Sequence, residues 1–309
     1  MGIAVNLGFC TILRSTEEVK LPVISNLISV FVNVIFNSLL IFGLLGFPKL
    51  GIRGAAIATV IASLVNPFFI FFVSFAKRYI LRASFKQMFR FPQGFVGKFF
   101  SISLPVFFNE AMWALGVAGV NMVYGRMGES NIAALTITKT VENLAFVLMI
   151  GLCNACGVMI GKNIGKEDYD TAHTYAKRFT LLVPSLCVLV GGSIILLRSP
   201  ILSLFSLSAE AKHAAMFLLL VFGLEMPLRN VPYISIVGIF RAGGDTKKGM
   251  LFDVSFLWSL ALPVAIILGL VLKWDFLLVY PIVLLVEDIP KSAFCIRHTL
   301  SGKWMRSVT

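Results

Sequence analysis

The sequence has 309 residues, of which 58% are hydrophobic and 14% charged, with a formal net charge of +12. Soluble domains average roughly 45–50% apolar and about 25% charged residues, so the composition excludes an ordinary soluble domain. Its apolar runs are long enough to cross a hydrocarbon core about 30 Å thick. Because they are continuous rather than alternating, they predict helices, and we expect an all-α polytopic membrane protein.

The predicted elements begin with an apolar stretch that is too short to cross a membrane. Residues 1–13 lack the basic start of a signal peptide and are typical of the tail of a helix. Eight full spans are predicted after this remnant. They lie at about 21–43, 53–75, 99–124, 131–160, 176–197, 213–239, 249–271 and 275–296.

A basic segment separates the second and third spans. Residues 76–98 alternate apolar side chains with basic ones, which predicts a linker on the membrane surface that is partly an amphipathic helix. Its basic residues are Lys77, Arg78, Arg82, Lys86, Arg90 and Lys98. We expect this linker to divide the chain into two bundles, 1–75 and 99–309.

The distribution of Lys and Arg predicts the orientation. One alternating set of loops contains 19 of these residues and the other contains six. Basic residues collect in cytoplasmic loops rather than marking a nucleic-acid partner in a protein of this class. The first set, which includes "FRAGGDTKK" (240–248) and the C-terminus, is therefore predicted to be cytoplasmic.

Two cytoplasmic segments share a pattern of charges. "ILRSTEEVKLP" (12–22) matches "IFRAGGDTKKG" (239–249) at an offset of 227 residues. The matched pairs are Arg14 and Arg241, Glu18 and Asp245, and Lys20 and Lys247. Parallel repeats are a known transporter architecture, so the pattern predicts two lobes. The same offset places the start of the first lobe before Met1, and we expect about three spans to be missing from the sequence.

Motifs for enzyme chemistry are lacking. "GGDTKK" does not match G-x-x-x-x-G-K-[ST], so no nucleotide site is expected. His173, His213 and His298 are far apart, which argues against a metal cluster or catalytic triad. Cys153 and Cys156 have Cys-x-x-Cys spacing but no second pair completes a zinc site, and all five cysteines are expected to be buried and reduced. We therefore predict neither an enzyme nor a cofactor.

Glu110 is the strongest candidate for a functional charge. It lies eleven residues into its predicted span, about 16 Å from the start and close to the midplane. Pro105 removes a backbone hydrogen bond nearby, and Asn109 adds a polar neighbour. A carboxylate isolated there suits a proton carrier or a ligand for Na⁺ or a cationic substrate. The alternative is an ion pair with a basic residue of another helix, such as Lys139.

Other charged and small residues in the spans have structural explanations that are equally good. Lys139 with Glu142, and Glu225 with Arg229, have spacings that allow local pairing on one helix. Three acidic residues, Asp253, Glu287 and Asp288, are expected near cytoplasmic helix ends, solvated or paired with lysines. A stripe of glycines, Gly157, Gly161 and Gly165, is predicted to let helices approach closely.

Several segments resemble the multidrug and toxic compound extrusion (MATE) family of secondary transporters. They are "GIRGAAIATVIASLV" (51–65), "LPVFFNEAMWALG" (104–116), "NIAALTITKTVENL" (131–144), "GVMIGKNIGKEDYDTAHTYAKR" (157–178) and "GIFRAGGDTKK" (238–248). The closing "RHTLSGKWMRSVT" also resembles the tail of Firmicutes-type members.

The resemblance implies a two-lobe helix bundle of the MOP superfamily. Residues 1–75 would be the C-terminal half of the N-lobe, comprising the end of helix 4 and helices 5 and 6. Residues 99–309 would be a complete C-lobe, helices 7 to 12. It further implies a plasma-membrane antiporter that exports cationic or amphipathic drugs in exchange for Na⁺ or H⁺.

The resemblance also bears on the site residues. The family's acidic residue in helix 7 falls on Glu110, whereas its acidic residue in helix 10 has no clear match. The residues nearby are Glu225, Arg229 and Asn230. The candidate set for cation or substrate binding is thus Glu110, Asn109, Glu142, Lys139, Glu225 and Asn230. Pro105, Arg241, Asp245 and the three glycines of the stripe complete it as structural residues.

Two alternatives remain open. One is a lipid-linked oligosaccharide flippase of the same superfamily, which should line its cavity with arginines, whereas only Arg229 and Lys139 lie deep in the predicted spans. The other is an inactive membrane fragment. The partners expected for the transporter are small cationic or amphipathic molecules and membrane lipids, with no nucleic acid or nucleotide.

Overall fold

The computed structural model describes residues 2–16, 18–76, 94–205 and 207–305. Within these ranges the chain is helical, and its β-structure is one isolated bridge between Gly244 and Met305. Seven helices are long and apolar enough to cross a membrane, which confirms the prediction of an all-α polytopic membrane protein. The chain divides into two compact units, Met1–Gln93 and Gly94–Thr309.

The predicted linker 76–98 lies mostly outside the described residues, which stop at Ala76 and resume at Gly94. The first helix of the second unit begins at Phe95 and therefore includes Lys98, the last residue of the predicted linker. The apolar side chains of that first turn explain the earlier start. Phe95 and Phe99 stack one turn apart, with ring centroids separated by 6.3 Å.

The described residues of the first unit form three helices of 14 residues or more: α1 (Gly2–Ser15), α2 (Lys20–Phe42) and α3 (Ile52–Ala76). Polar side chains join α2 to α3 inside the apolar surroundings. Ser25 Oγ donates to the backbone oxygen of Asn66, and Ser29 Oγ donates to that of Ala62 at 2.7 Å. Gly54 lies so close to α2 that a Cβ there would be 2.5 Å from the Leu40 carbonyl oxygen.

In its described residues, the second unit has six helices of 25 to 37 residues. They are α4 (Phe95–Arg126), α5 (Glu129–Gly165), α6 (Tyr169–Ser203), α7 (Ala209–Phe240), α8 (Thr246–Val271) and α9 (Phe276–Leu300). All begin and end within seven residues of the predicted spans. The eighth predicted span is α9, which is less uniformly apolar because it carries Glu287 and Asp288 at its middle and Lys291 one turn later.

Side-chain caps begin several of these helices. Asp168 accepts a hydrogen bond from the Thr171 backbone N–H at 3.1 Å, and Ser208 accepts one from Ala211 at 3.2 Å. Such caps satisfy backbone donors that have no partner inside the helix. The hydrogen bonds from the Thr171 side chain and backbone hold the pKa of Asp168 below its ordinary value.

The closest helix crossing joins α6 to α7. A Cβ on Gly191 would lie 2.2 Å from the Gly223 carbonyl oxygen, and a Cβ on Gly223 would lie 2.8 Å from the Gly191 oxygen. Only glycine at both positions allows the two backbones to approach this far. Elsewhere the core is built from aliphatic and aromatic side chains, and all five cysteines are buried and free, as predicted.

The turn 240–248 connects α7 to α8 and packs against the end of the chain. Gly244 has a φ of +79°, a conformation that favours glycine. Trp304 covers Gly243 so closely that a Cβ there would lie 2.4 Å from the indole ring. Asp245, fully buried, contacts His298 Nε2 at 2.9 Å. The turn is therefore fixed to α9 rather than free in solvent.

Candidate functional site

Glu110 is paired with Arg241 and is not isolated. Arg241 Nη2 donates to Glu110 Oε1 at 2.5 Å. The alternative reading, an ion pair with a basic residue of another element, therefore describes the contact, but the residue is Arg241 and not Lys139, whose Nζ donates to Asn121 Oδ1 at 2.9 Å. The physical reason is the course of α7, whose last seven residues, Ile234–Phe240, form a π-helical segment that ends at Arg241 beside α4.

The Glu110 side chain is accessible. It is 57% exposed within the chain, and the Arg241 side chain is 26% exposed. An exposed ion pair is weaker than a buried one because solvent or another ion can compete for each partner. The carboxylate therefore has a counterion that an incoming cation could displace.

Asn109 points to the other side of α4, into the protein. It is buried, and its Nδ2 donates to Asp253 Oδ2 at 3.2 Å. The preceding turn contains Pro105, which is also buried. Neighbouring residues of one helix thus serve two environments, Glu110 at the surface and Asn109 in the interior.

Lys291 of α9 brings three carboxylates together inside the bundle. Its Nζ lies 2.5 Å from Glu287 Oε1, 3.3 Å from Asp253 Oδ1 and 3.6 Å from Asp288 Oδ1. Of the two readings that the sequence left open for these acidic residues, solvation or pairing with a lysine, the structure has the pairing. Because α9 continues to Leu300, Asp288 lies midway along that helix rather than near its end. Lys291 and Asp288 are both buried.

Arg229 forms the second basic centre. Its Nη1 lies 3.9 Å from Glu142 Oε2, and its guanidinium lies 5.7 Å from the centre of the Phe146 ring. The Tyr280 hydroxyl donates to Glu142 Oε1 at 3.4 Å. The acidic network is the name used below for Glu142, Glu225, Arg229, Asp253, Glu287, Asp288 and Lys291.

The local pairs expected from spacing alone do not form. Within the described residues, no ion pair within 4.0 Å joins Lys139 to Glu142 or Glu225 to Arg229. Partners from other helices explain the first case, since Lys139 bonds to Asn121 and Glu142 contacts Arg229. Spacing on one helix permits a pair, but the packing of neighbouring helices decides which contact is made.

Glu225 is the most deeply placed carboxyl group of the candidate set. It is 4% exposed, and neither carboxylate oxygen has a hydrogen-bond donor among the described residues. Asn230, on the same helix, is fully buried and donates to the Met226 carbonyl oxygen at 2.8 Å. Buried polar atoms without hydrogen-bond partners lower the stability of a fold, and native proteins rarely retain them without a functional reason.

The glycine stripe of α5 gives a mixed result. A Cβ on Gly157 would lie 3.6 Å from the Gly238 carbonyl oxygen, an ordinary contact. Around Gly161 and Gly165 no described atom would come within 4 Å of such a Cβ. The close approach expected at the stripe lies instead at Gly191 and Gly223.

From the sequence, Arg241 was given only a structural role and Lys291 was left out of the candidate set. Arg241 was assigned to a turn, although it reaches a carboxylate in α4, and Lys291 was taken only as a neighbour of acidic residues. The available signal for Lys291 was its spacing of three and four residues from Asp288 and Glu287 inside a predicted span. Nothing in the sequence pointed to the contact between Arg241 and Glu110, which lie 131 positions apart.

Comparisons with known proteins agree with this architecture. The MatE family model matches residues 105–267, which is more than half of the chain. A probable multidrug resistance protein NorM of Thermotoga maritima is 25% identical over 98% of this chain and 65% of its own length. The multidrug resistance protein MdtK of Photorhabdus laumondii is 26% identical over 82% of this chain and 56% of its own length.

A solved structure has the same fold. The crystal structure of a MATE protein in its bent conformation superposes with a TM-score of 0.80 at 18% identity. The match covers 97% of this chain and 64% of that protein. The chain therefore spans between about half and two thirds of the length of the relatives that it matches.

Proposed function

The chain belongs to the MatE (multidrug and toxic compound extrusion) family of transporters, and on this premise we propose that it exports cationic or amphipathic drugs in exchange for Na⁺ or H⁺. The observation that supports the proposal is the placement of carboxyl groups inside apolar helices, both accessible (Glu110) and buried (Glu225). Charges at such depth are expensive and are retained where an ion or substrate uses them. The names of NorM and MdtK as multidrug resistance proteins point the same way.

Glu110 is the proposed binding group for the cationic substrate. Its exposed carboxylate is neutralised by Arg241, and a drug cation would replace the guanidinium at the same oxygen atoms. This exchange of one cation for another keeps the local charge constant, which limits the electrostatic cost of loading and release. The proposed location is the plasma membrane with a cytoplasmic C-terminus, supported by the excess of Lys and Arg in one set of loops.

The flippase alternative is less well supported by the contacts. A cavity for an anionic lipid-linked sugar needs basic groups that are free to meet phosphate. The two arginines of the candidate site, Arg229 and Arg241, are each already engaged with a carboxylate. A drug cation fits the acidic network, in which five carboxyl groups accompany Arg229 and Lys291, better than an anion does.

Transport of a fluorescent cation tests the proposal. The full chain would be purified, reconstituted in liposomes, and assayed for ethidium movement under an imposed Na⁺ or H⁺ gradient. We expect gradient-dependent transport that falls at least tenfold in Glu110→Gln and stays unchanged in Glu129→Gln, an exposed residue at the start of α5. Transport equal to that of empty liposomes under both gradients would refute the function, and full activity of Glu110→Gln would refute the site.

A further inference from the structure

The chain turns back on itself after α9. Gly302 has a φ of +68°, in the left-handed region that favours glycine, and it reverses the direction of the chain. Trp304 is thereby carried over the turn between α7 and α8, where a Cβ on Gly243 would lie 2.6 Å from the Trp304 carbonyl oxygen. The indole is fully buried, and its Nε1 donates to the Thr299 carbonyl oxygen at 3.0 Å. Residues 301–305 are called the return segment below.

Three consecutive residues of the turn each have a partner in α9 or in the return segment. The pairs are Gly243 with Trp304, Gly244 with Met305, and Asp245 with His298. In the last pair a buried carboxylate lies 2.9 Å from a buried imidazole, and the Phe240 ring packs edge-on against that imidazole with ring centroids 4.9 Å apart. Contacts on successive residues leave the backbone of the turn little freedom to rotate.

Arg241 is the residue that this arrangement positions. Its carbonyl oxygen accepts a hydrogen bond from the Gly244 backbone N–H at 3.2 Å, and the Gly243 N–H donates to the Ile239 carbonyl oxygen at 2.9 Å. These bonds tie the backbone on both sides of Arg241 to the residues that the return segment holds. From this fixed backbone the guanidinium reaches α4, where Nη2 donates to Glu110 Oε1.

A fixed backbone matters for this ion pair because the pair is exposed. The Glu110 side chain is 57% exposed and that of Arg241 is 26% exposed. An exposed pair gains little Coulomb energy, and the cost of ordering two long side chains offsets much of that gain. Fixing the backbone in advance removes the backbone part of the ordering cost. Without the return segment, Arg241 would therefore spend more time away from Glu110.

We propose that Trp304 is a positioning residue that holds Arg241 against Glu110 and so sets how strongly the guanidinium competes with a cation for that carboxylate. Its effect on transport rests on the proposed function, whereas the positioning itself does not. A well-placed competitor weakens cation binding and helps release, because the guanidinium takes the carboxylate back as the cation leaves. The return segment thereby adjusts the affinity of a site on another helix.

Chemical modification of the purified full chain tests the positioning without a transported cation. Phenylglyoxal modifies arginine side chains, and a guanidinium held by a carboxylate reacts more slowly than a free one. Modification of Arg241 would be timed by mass spectrometry of its peptide, with Arg198 in α6 as the reference within the same molecule. Glu110→Gln sets the rate of the released guanidinium. We expect Trp304→Ala to raise the Arg241 rate about threefold towards that value, the scale of an exposed ion pair.

Two further variants serve as controls. Trp304→Phe keeps an aromatic ring over the turn and should react at close to the wild-type rate, and Trp274→Ala, at an exposed tryptophan between α8 and α9, should leave the rate unchanged. Equal Arg241 rates in the wild-type protein and Trp304→Ala would overturn the proposal, as would a rise shared by Arg198, which would mean a general loosening of the fold. A wild-type rate in Glu110→Gln would overturn it too, since the pair would then give no protection. Should Trp304→Ala fail to fold, Trp304→Leu keeps apolar bulk in place and answers the same question.

Binding of ethidium, measured by fluorescence anisotropy with the same proteins, tests the consequence for the site. We expect Trp304→Ala to lower the dissociation constant about threefold, because the competing guanidinium is less often in place, and to have no such effect when Arg241→Ala is also present. No change in Trp304→Ala, or an equal decrease in the Arg241→Ala background, would overturn the role of Arg241 as the competitor. Absence of ethidium binding in every protein, together with the expected phenylglyoxal rates, would refute the proposed function and leave the positioning of Arg241 standing.

Discussion

The crossing of α6 and α7 gives a prediction whose size can be worked from the structure. Gly191→Ala would place a methyl group 2.2 Å from the Gly223 carbonyl oxygen, whereas ordinary contact begins near 3.4 Å. The two backbones must therefore separate by about 1.2 Å at this point. Overpacking of this kind typically costs about 1–3 kcal/mol, partly offset by the roughly 1 kcal/mol advantage of alanine over glycine in a helix.

The adjacent residue provides a matched control. A Cβ on Gly192 would meet no described atom within 4 Å, so Gly192→Ala gains the helix propensity without the clash. We expect the free energy of unfolding to be about 1–3 kcal/mol higher in the Gly192 variant than in the Gly191 variant. At roughly 2–4 °C per kcal/mol for a unit of this size, the melting temperatures should differ by several degrees.

The assay is the loss of the monodisperse peak after heating the detergent-solubilised full chain. We expect Gly191→Ala to melt below the wild-type protein and Gly192→Ala at or above it. Equal melting temperatures for the two variants would show that α6 and α7 do not approach as closely as the structure has them. A lower value for the Gly192 variant would refute the argument entirely.

Three further predictions concern charges, packing and caps in the second unit. Lys291→Met leaves three carboxylates without their shared cation and should lower the free energy of unfolding by about 3–5 kcal/mol. The control, Lys177→Met at an exposed site, should change it little. Equal thermal stability of the two variants would contradict the buried location of Lys291. Gly243→Ala pushes Trp304 out of its contact, so the tryptophan emission should shift to longer wavelength, and an unchanged spectrum would count against the packing. Ser208→Ala removes the side-chain oxygen that accepts a hydrogen bond from the Ala211 backbone N–H at 3.2 Å at the start of α7. It should lower the free energy of unfolding by about 1 kcal/mol, and an unchanged thermal unfolding temperature would contradict the cap.

The helices could be predicted from sequence because the signal is local. A run of apolar residues must be long enough to cross the hydrocarbon core and must satisfy its own backbone, and both conditions are visible in the residues themselves. The ends were less certain, and in α9 this changed an interpretation. Ending that helix at residue 296 placed Glu287 and Asp288 nearer the cytoplasmic boundary than the structure does.

The partners of the charged residues could not be predicted because they depend on how helices face one another. The spacing of Lys139 and Glu142 allowed a pair on α5, yet the two side chains turn to Asn121 and Arg229 on different helices. Glu110 forms an ion pair with Arg241. The residues around Arg241 in the sequence had indicated only a loop. Helical periodicity fixes which residues share a face, whereas the partner of that face is decided by tertiary packing.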